Sequence, residues 1–401
     1  MPATDDSNRR AKANVWRLSA AVALAGAHGA AIFATGGIVG AELAPDPALA
    51  TLPLSFFVVG MAAGTLPSGA IARAWGRRPV FIIGTGIGCL SSLIAALAIV
   101  RGSFALFCFA AFLGGLYGAV AQTFRFAAAE GASDSFRPRA VAWVMAGGVL
   151  SGILGPQLVT WTMDVWAPYL FAASFLAQAV VALIAMAVLS QVDLDKPRAE
   201  DHAGARPLAA IVRQPAFISA AICGVVSYAL MNFVMTSAPL AMKICGFGPA
   251  DSNLVLQEHI VAMYLPSFFT GALIARFGAP AIVATGLGAI AAAAVTGLAG
   301  IGFGHFSLGL VLLGAGWNFG FIGASAMVLG THRSSERTKV QAFNDFLVFG
   351  VMAIGSFSSG ELLALYGWAS VNWVVFPPVV LALAMLALAA RARRAPQPAL
   401  P

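Results

Sequence analysis

The chain has 401 residues, of which 60% are hydrophobic and only 10% charged, with a formal net charge of +7. A soluble domain carries about 25% charged residues, so this composition excludes a water-covered globule and requires lipid around most of the chain. The basic residues stand singly or in short clusters beside apolar runs, which is the distribution of topology determinants and not of a nucleic-acid surface.

Twelve apolar runs follow one another, at 17–42, 51–73, 79–100, 104–129, 140–163, 168–190, 216–242, 254–275, 280–301, 306–330, 341–365 and 370–390. Each suits the roughly 20 residues that a helix needs to cross a bilayer. Helices are expected because backbone groups in hydrocarbon must bond within their own segment. A barrel strand would alternate apolar and polar residues over about ten positions, and the run containing Ala291–Ala294 does not alternate.

The first run carries His28 near its middle and is too long for the apolar part of a cleavable signal. The second ends in GAIARAWG, Gly69 to Gly76, followed by Arg77 and Arg78. The fourth holds Tyr117 at mid-depth, Gln122 deeper and Arg125 toward its inner end. The fifth contains GGVLSGILGP from Gly147, closing on Gly155 and Pro156. A polar stretch, 191–215, then separates two halves of six runs, 1–190 and 216–401, and reads as a central linker. The seventh run has Tyr228 and Asn232 near its middle. The eighth has Glu258 and His259 near its outer end and finishes in GALIARFG, Gly271 to Gly278.

That octet matches Gly69–Gly76 at an offset of about 200 residues, and PVFIIGTGIG after the first is echoed by PAIVATGLG after the second. Half-chain spacing at matching topological positions predicts a duplicated six-helix unit. The tenth run carries Trp317 and Asn318 at mid-depth. The eleventh carries Asp345 near its inner end and Glu361 toward its outer end. With the N-terminus inside, all but Arg101 and Lys243 of the 23 Lys and Arg lie on inside segments, which predicts cytoplasmic termini in a bacterial inner membrane.

These features resemble the major facilitator superfamily over the whole chain: an all-α membrane protein, twelve spans, inside termini and two six-helix bundles. The family's motif between spans two and three has the sense G-x-L-A-D-R-x-G-R-R, and Gly69, Ile71, Ala72, Gly76, Arg77 and Arg78 stand in that spacing. The acidic position is Arg73 here, and the next is Ala74. The resemblance implies an inner gate at this motif, a central site lined by spans one, four, seven and ten, and alternating access by rocking of the two halves. The Gly155–Pro156 pair is similar to a feature that the family links to antiport. A further likeness, carried by the chain as a whole, is to bacterial vitamin permeases of the riboflavin-uptake kind.

A polar side chain inside a span is a functional candidate. His28, Tyr117, Gln122, Arg125, Tyr228, Asn232, Trp317 and Asn318 fall on the four spans that the resemblance assigns to the cavity. Tyr and Trp suit a partly aromatic solute, and Asn and Gln fix its orientation. Glu258, His259, Asp345 and Glu361 are candidates for proton coupling or gating. No carboxylate lies at mid-depth of those four spans, so uniport stays open beside proton coupling.

Neither HExxH, GxSxG nor a Walker-type loop occurs. The four cysteines, Cys89, Cys108, Cys223 and Cys245, show no CxxC or metal spacing. No enzymatic activity, cofactor or metal is expected. The expected function is secondary transport of a small organic solute, amphipathic or aromatic, by a monomer. Proton-coupled drug efflux, riboflavin-type uptake and a non-transporting membrane sensor or assembly factor are the alternatives.

Overall fold

In the computed structural model the described residues are 2–46, 49–50, 52–130, 132–133, 136–194 and 205–394. Among them no strand occurs. The helices are α1 (Pro2–Leu43), α2 (Leu52–Trp75), α3 (Arg77–Arg101), α4 (Phe104–Ala128), α5 (Arg137–Thr162) and α6 (Ala172–Ser190) in the first half. The second half has α7 (Pro215–Ile244), α8 (Leu254–Phe277), α9 (Ala279–Ala299) and α10 (Phe303–Leu329). The chain is then helical from Arg337 to Trp373, turning at Gly367 (φ 78°) where α11 passes into α12, and α12 continues through Phe376–Arg394.

Eleven helical stretches among the described residues are long and apolar enough to cross a membrane alone. The twelfth helix, α11, opens with the polar turns of Arg337, Lys339, Gln341, Asn344 and Asp345. An even number of crossings puts both termini and the central connection at one face, here the terminal face.

Small residues let these helices touch backbone to backbone, the usual basis of helix association in lipid. A Cβ on Gly115 of α4 would stand 1.9 Å from the carbonyl oxygen of Phe57 on α2, and one on Gly60 of α2 would stand 2.1 Å from that of Phe112 on α4. Gly155 of α5 approaches α1 similarly, with its Cβ position 2.7 Å from that of Ala30.

The repeated octets occupy equivalent places. Gly76 (φ 87°) and Gly278 (φ 83°) cap α3 and α9 in left-handed backbone that favours glycine. Gly69 of α2 faces α11, where an added Cβ would lie 2.3 Å from that of Ala342. Gly271 of α8 faces α5, where an added Cβ would lie 2.7 Å from the Cα of Arg139. Each half thus lays its second helix on the fifth helix of the other. Both seams lie toward the terminal face.

Of the expected linker, residues 195–204 lie outside the described residues. Its flanks are tied down. Asn14 donates to the Asp193 carbonyl (2.6 Å) and accepts from the Asp193 N–H (3.1 Å). On the other side Arg206 grips Glu336 through Nε (2.8 Å) and Nη2 (2.7 Å), and the backbone N–H groups of Arg206 and Arg333 also donate to that carboxylate. The Arg206 guanidinium holds the Glu336 carboxyl well below the usual carboxylate range.

Candidate functional site

Four of the expected residues meet across the boundary between the halves. Arg125, at the terminal end of α4, is completely buried. It sits just past the break in α4 at Thr123, where helix gives way to a turn before Phe124–Ala128. Its Nη2 donates to Asp345 Oδ1 on α11 (2.6 Å) and its Nε to Ser325 Oγ on α10 (3.2 Å). Its Nη1 donates to the carbonyl and the side-chain oxygen of Gln122. The guanidinium carbon lies over the rings of Phe126 (4.3 Å) and Phe321 (4.5 Å). Arg suits this position because its rigid fork serves several acceptors while its faces stack.

Gln122 completes the bridge, its Nε2 donating to the Tyr228 hydroxyl on α7 (3.3 Å). Tyr228 begins an aromatic wall in the second half. Its ring meets Trp317 edge to face at 5.5 Å, Phe321 at 4.9 Å and Phe349 at 5.4 Å. Trp317 stacks on Phe321 (5.4 Å, 21°) and meets Tyr264 of α8 edge to face (5.5 Å). Tyr264 reaches the first half too: its ring fills the place of a side chain at Gly148 of α5, where a Cβ would stand 2.2 Å from it. The Asn232 amide nitrogen, one helical turn beyond Tyr228, and the Trp317 Nε1 are buried without a partner.

The remaining expected residues lie elsewhere. His28 and Tyr117 face each other (5.5 Å between rings) but turn into their own half: His28 Nδ1 lies 3.2 Å from Ser92 Oγ, and the Tyr117 ring fills the space beside Gly88, both on α3. Asn318 is fully engaged with α8. Its Nδ2 donates to the Met263 carbonyl and to Ser267 Oγ (2.6 Å each), and its Oδ1 accepts from Thr270 Oγ1 (2.7 Å).

Those bonds bridge two helix defects. The helix of α8 is interrupted at Leu265–Pro266, and α10 widens to a π-turn at Asn318–Ile322. Such defects free backbone groups that side chains must satisfy. Glu258 and His259 tie the same two helices nearer the opposite face, accepting from Ser307 Oγ (2.5 Å) and meeting the Leu310 carbonyl through Nδ1 (2.7 Å). Glu361 lies on α11, and its side chain is outside the described residues.

At the terminal face a second cross-half network surrounds the glycine motif. Arg73 and Arg78 are exposed, whereas Arg77 is only 7% exposed. Arg77 Nε donates to Glu130 at the end of α4 (2.5 Å), and its Nη2 to Gln341 on α11 (2.6 Å). Arg337, opening α11, adds a contact to Glu130 (3.4 Å). Acid and base therefore meet beside this motif with Glu130 as the acid, in a chain whose motif has Arg at the acidic position.

Sequence reasoning passed over Tyr264, Phe321, Ser325 and Glu130. Glu130 carried a usable signal, being one of only 16 acidic residues and close to an apolar run. Tyr264, two residues before a mid-span proline, carried another. Phe321 and Ser325 are ordinary members of an apolar helix and become legible only through Arg125.

A family model described as the Major Facilitator Superfamily matches residues 18–265. The riboflavin transporter RfnT of Brucella anthropi (strain ATCC 49188) is 46% identical over 381 residues, covering 94% of this chain and 96% of that one. The uncharacterized MFS-type transporter YddS of Bacillus subtilis (strain 168) is 30% identical, covering 84% and 82% of the two chains. Among solved structures, the proton:xylose symporter XylE superposes with a TM-score of 0.77 at 15% identity, covering 95% and 96%. At that identity the likeness concerns the fold.

Proposed function

The chain belongs to the Major Facilitator Superfamily of membrane transporters, and on that premise we propose that its substrate is riboflavin or a closely related flavin, taken up into the cell. The observation that carries this reading is the aromatic wall of Tyr228, Trp317, Tyr264 and Phe321 at the boundary between the halves, in a chain 46% identical along nearly its whole length to a riboflavin transporter. A flavin offers a broad planar ring for such a wall and a polar tail and ring edge for the amides of Asn232 and Gln122.

The protein works as a monomer in a bacterial inner membrane with cytoplasmic termini, since the Lys and Arg distribution favours that orientation. The two bundles, joined by the 191–215 linker, rock about the central site. The conformation described is closed at the terminal face by Arg125 and Arg77, so release toward that face requires both networks to part. Asp345, freed from Arg125 at that moment, is the candidate proton carrier. The pair Glu258 and His259, together with Glu361, serves the gate on the opposite face.

The test is riboflavin accumulation in bacterial cells lacking other riboflavin uptake, with and without this chain, repeated with purified protein in vesicles. Expected is saturable uptake that an uncoupler abolishes. Absence of both uptake and binding would sink the flavin reading, and uptake indifferent to the uncoupler would remove proton coupling. The Gly155–Pro156 pair favours a second reading, drug export, for which the same vesicles loaded with an organic cation give the answer.

A further inference from the structure

Two N–H donors beside Tyr228 have no acceptor. Trp317 is 0% exposed and Asn232 is 3% exposed, and neither Trp317 Nε1 nor Asn232 Nδ2 has a hydrogen-bond partner. A buried donor without an acceptor is costly and therefore uncommon. Here the two flank one ring. Tyr228 meets Trp317 at 5.5 Å, and Asn232 follows Tyr228 by four residues on α7, hence on the same helical face one turn away.

The Trp317 ring is also fixed in direction. Tyr264 and Tyr228 meet it edge to face and Phe321 stacks on it, so its N–H cannot turn to find a partner without breaking three ring contacts. Asn318, the next residue, strengthens that fixation by fastening α10 to α8. Ser227 Oγ, beside Gly320, is also unpartnered but is a hydroxyl that can turn, whereas His28 Nε2 and the Tyr117 hydroxyl lie within the first half and His259 Nε2 lies between α8 and α10.

We propose that Trp317 Nε1–H and Asn232 Nδ2–H are the specificity-determining donors of the site, and that they read two hydrogen-bond acceptors on the edge of a planar heterocycle, of the kind a pyrimidinedione presents through its carbonyl oxygens and ring nitrogens. This rests on the flavin reading above and adds to it the polarity of the edge that is recognised. An indole N–H only donates, and the atom of this amide that is buried without a partner is its N–H₂ nitrogen. A solute presenting its own N–H or O–H groups there would set hydrogen against hydrogen. The pair thus selects ring carbonyls over amines, and it disfavours the cationic amphiphiles that an aromatic wall alone would attract.

The experiment compares riboflavin with its 2-thio and 4-thio analogues, in which sulfur, a weaker acceptor, replaces one ring carbonyl oxygen. Binding to the full-length purified protein is read by quenching of flavin fluorescence or absorbance, for the parent, Trp317→Phe and Asn232→Leu. Thermal unfolding midpoints close to the parent's establish that each variant is folded. Asn232→Asp, which turns a donor into an acceptor, is a further variant. Expected is a loss of about three- to tenfold in affinity for at least one thio analogue with the parent, the size of one neutral hydrogen bond. That loss disappears in the variant lacking the donor that faces the altered atom, and Asn232→Asp binds riboflavin more weakly than Asn232→Leu.

A thio penalty that persists unchanged in both variants overturns the assignment, as does parental affinity for riboflavin in both. A parent that binds no riboflavin overturns the flavin reading itself. That failure is recognisable because it needs no substitution.

Discussion

Arg125 and Asp345 are separated by 220 residues and by the boundary between the halves, yet they form one buried ion pair. Taking two charges out of water costs more than a modest attraction returns unless further bonds satisfy them. Here Ser325, Gln122 and Asn344 do so. Asp345→Ala should therefore strand a fully buried guanidinium, destabilising the closed form by about 3–5 kcal/mol, seen as a lower unfolding midpoint. Joint replacement by apolar residues, Arg125→Met with Asp345→Leu, should restore most of that stability while transport stays lost. A single variant as stable as the parent would show that the pair does not hold the halves together. The sequence marks both residues as polar positions inside spans, but nothing in it pairs them. The same rule also treats Asn232 and Asn318 alike, although one amide nitrogen is unpartnered and the other side chain is consumed in joining two helices.

At the level of helices, the octets Gly69–Gly76 and Gly271–Gly278 make the halves touch. A methyl group at Gly69 meets Ala342, and one at Gly271 meets the backbone of Arg139. Gly288, on an exposed face of α9, has nothing within 4 Å of an added Cβ. Gly69→Ala and Gly271→Ala should each cost about 1–3 kcal/mol by overpacking and reduce transport, while Gly288→Ala should leave both unchanged or gain slightly from better helix propensity. Unfolding midpoints and initial transport rates of the three variants decide this, and equal behaviour of all three would remove the seams' special role. The helices themselves are readable from hydropathy because lipid leaves the backbone so few options. Their defects are less so: Pro266 announces the break in α8, but the π-turn of α10 opposite it has no signature in Asn318–Ile322. It becomes intelligible only when Asn318 is seen bonded to the interrupted helix.

For the whole molecule, the twelve-helix plan and its twofold repeat are legible in hydropathy, in the placement of Lys and Arg and in the paired octets. The wiring between the halves is not, because it depends on which faces of α4, α10 and α11 meet. The seams are also reciprocal. Each half offers a glycine notch on its second helix and a fitting helix, the fifth, to the other's notch. As an assembly, each half is one part of a two-part lock, which predicts that the peptide link between them is dispensable. Two separately translated pieces, ending and restarting within 195–204, should recognise each other in the membrane and co-purify through a tag on either one. Gly69→Ala and Gly271→Ala, placed on different pieces, should weaken that recovery together more than either does alone.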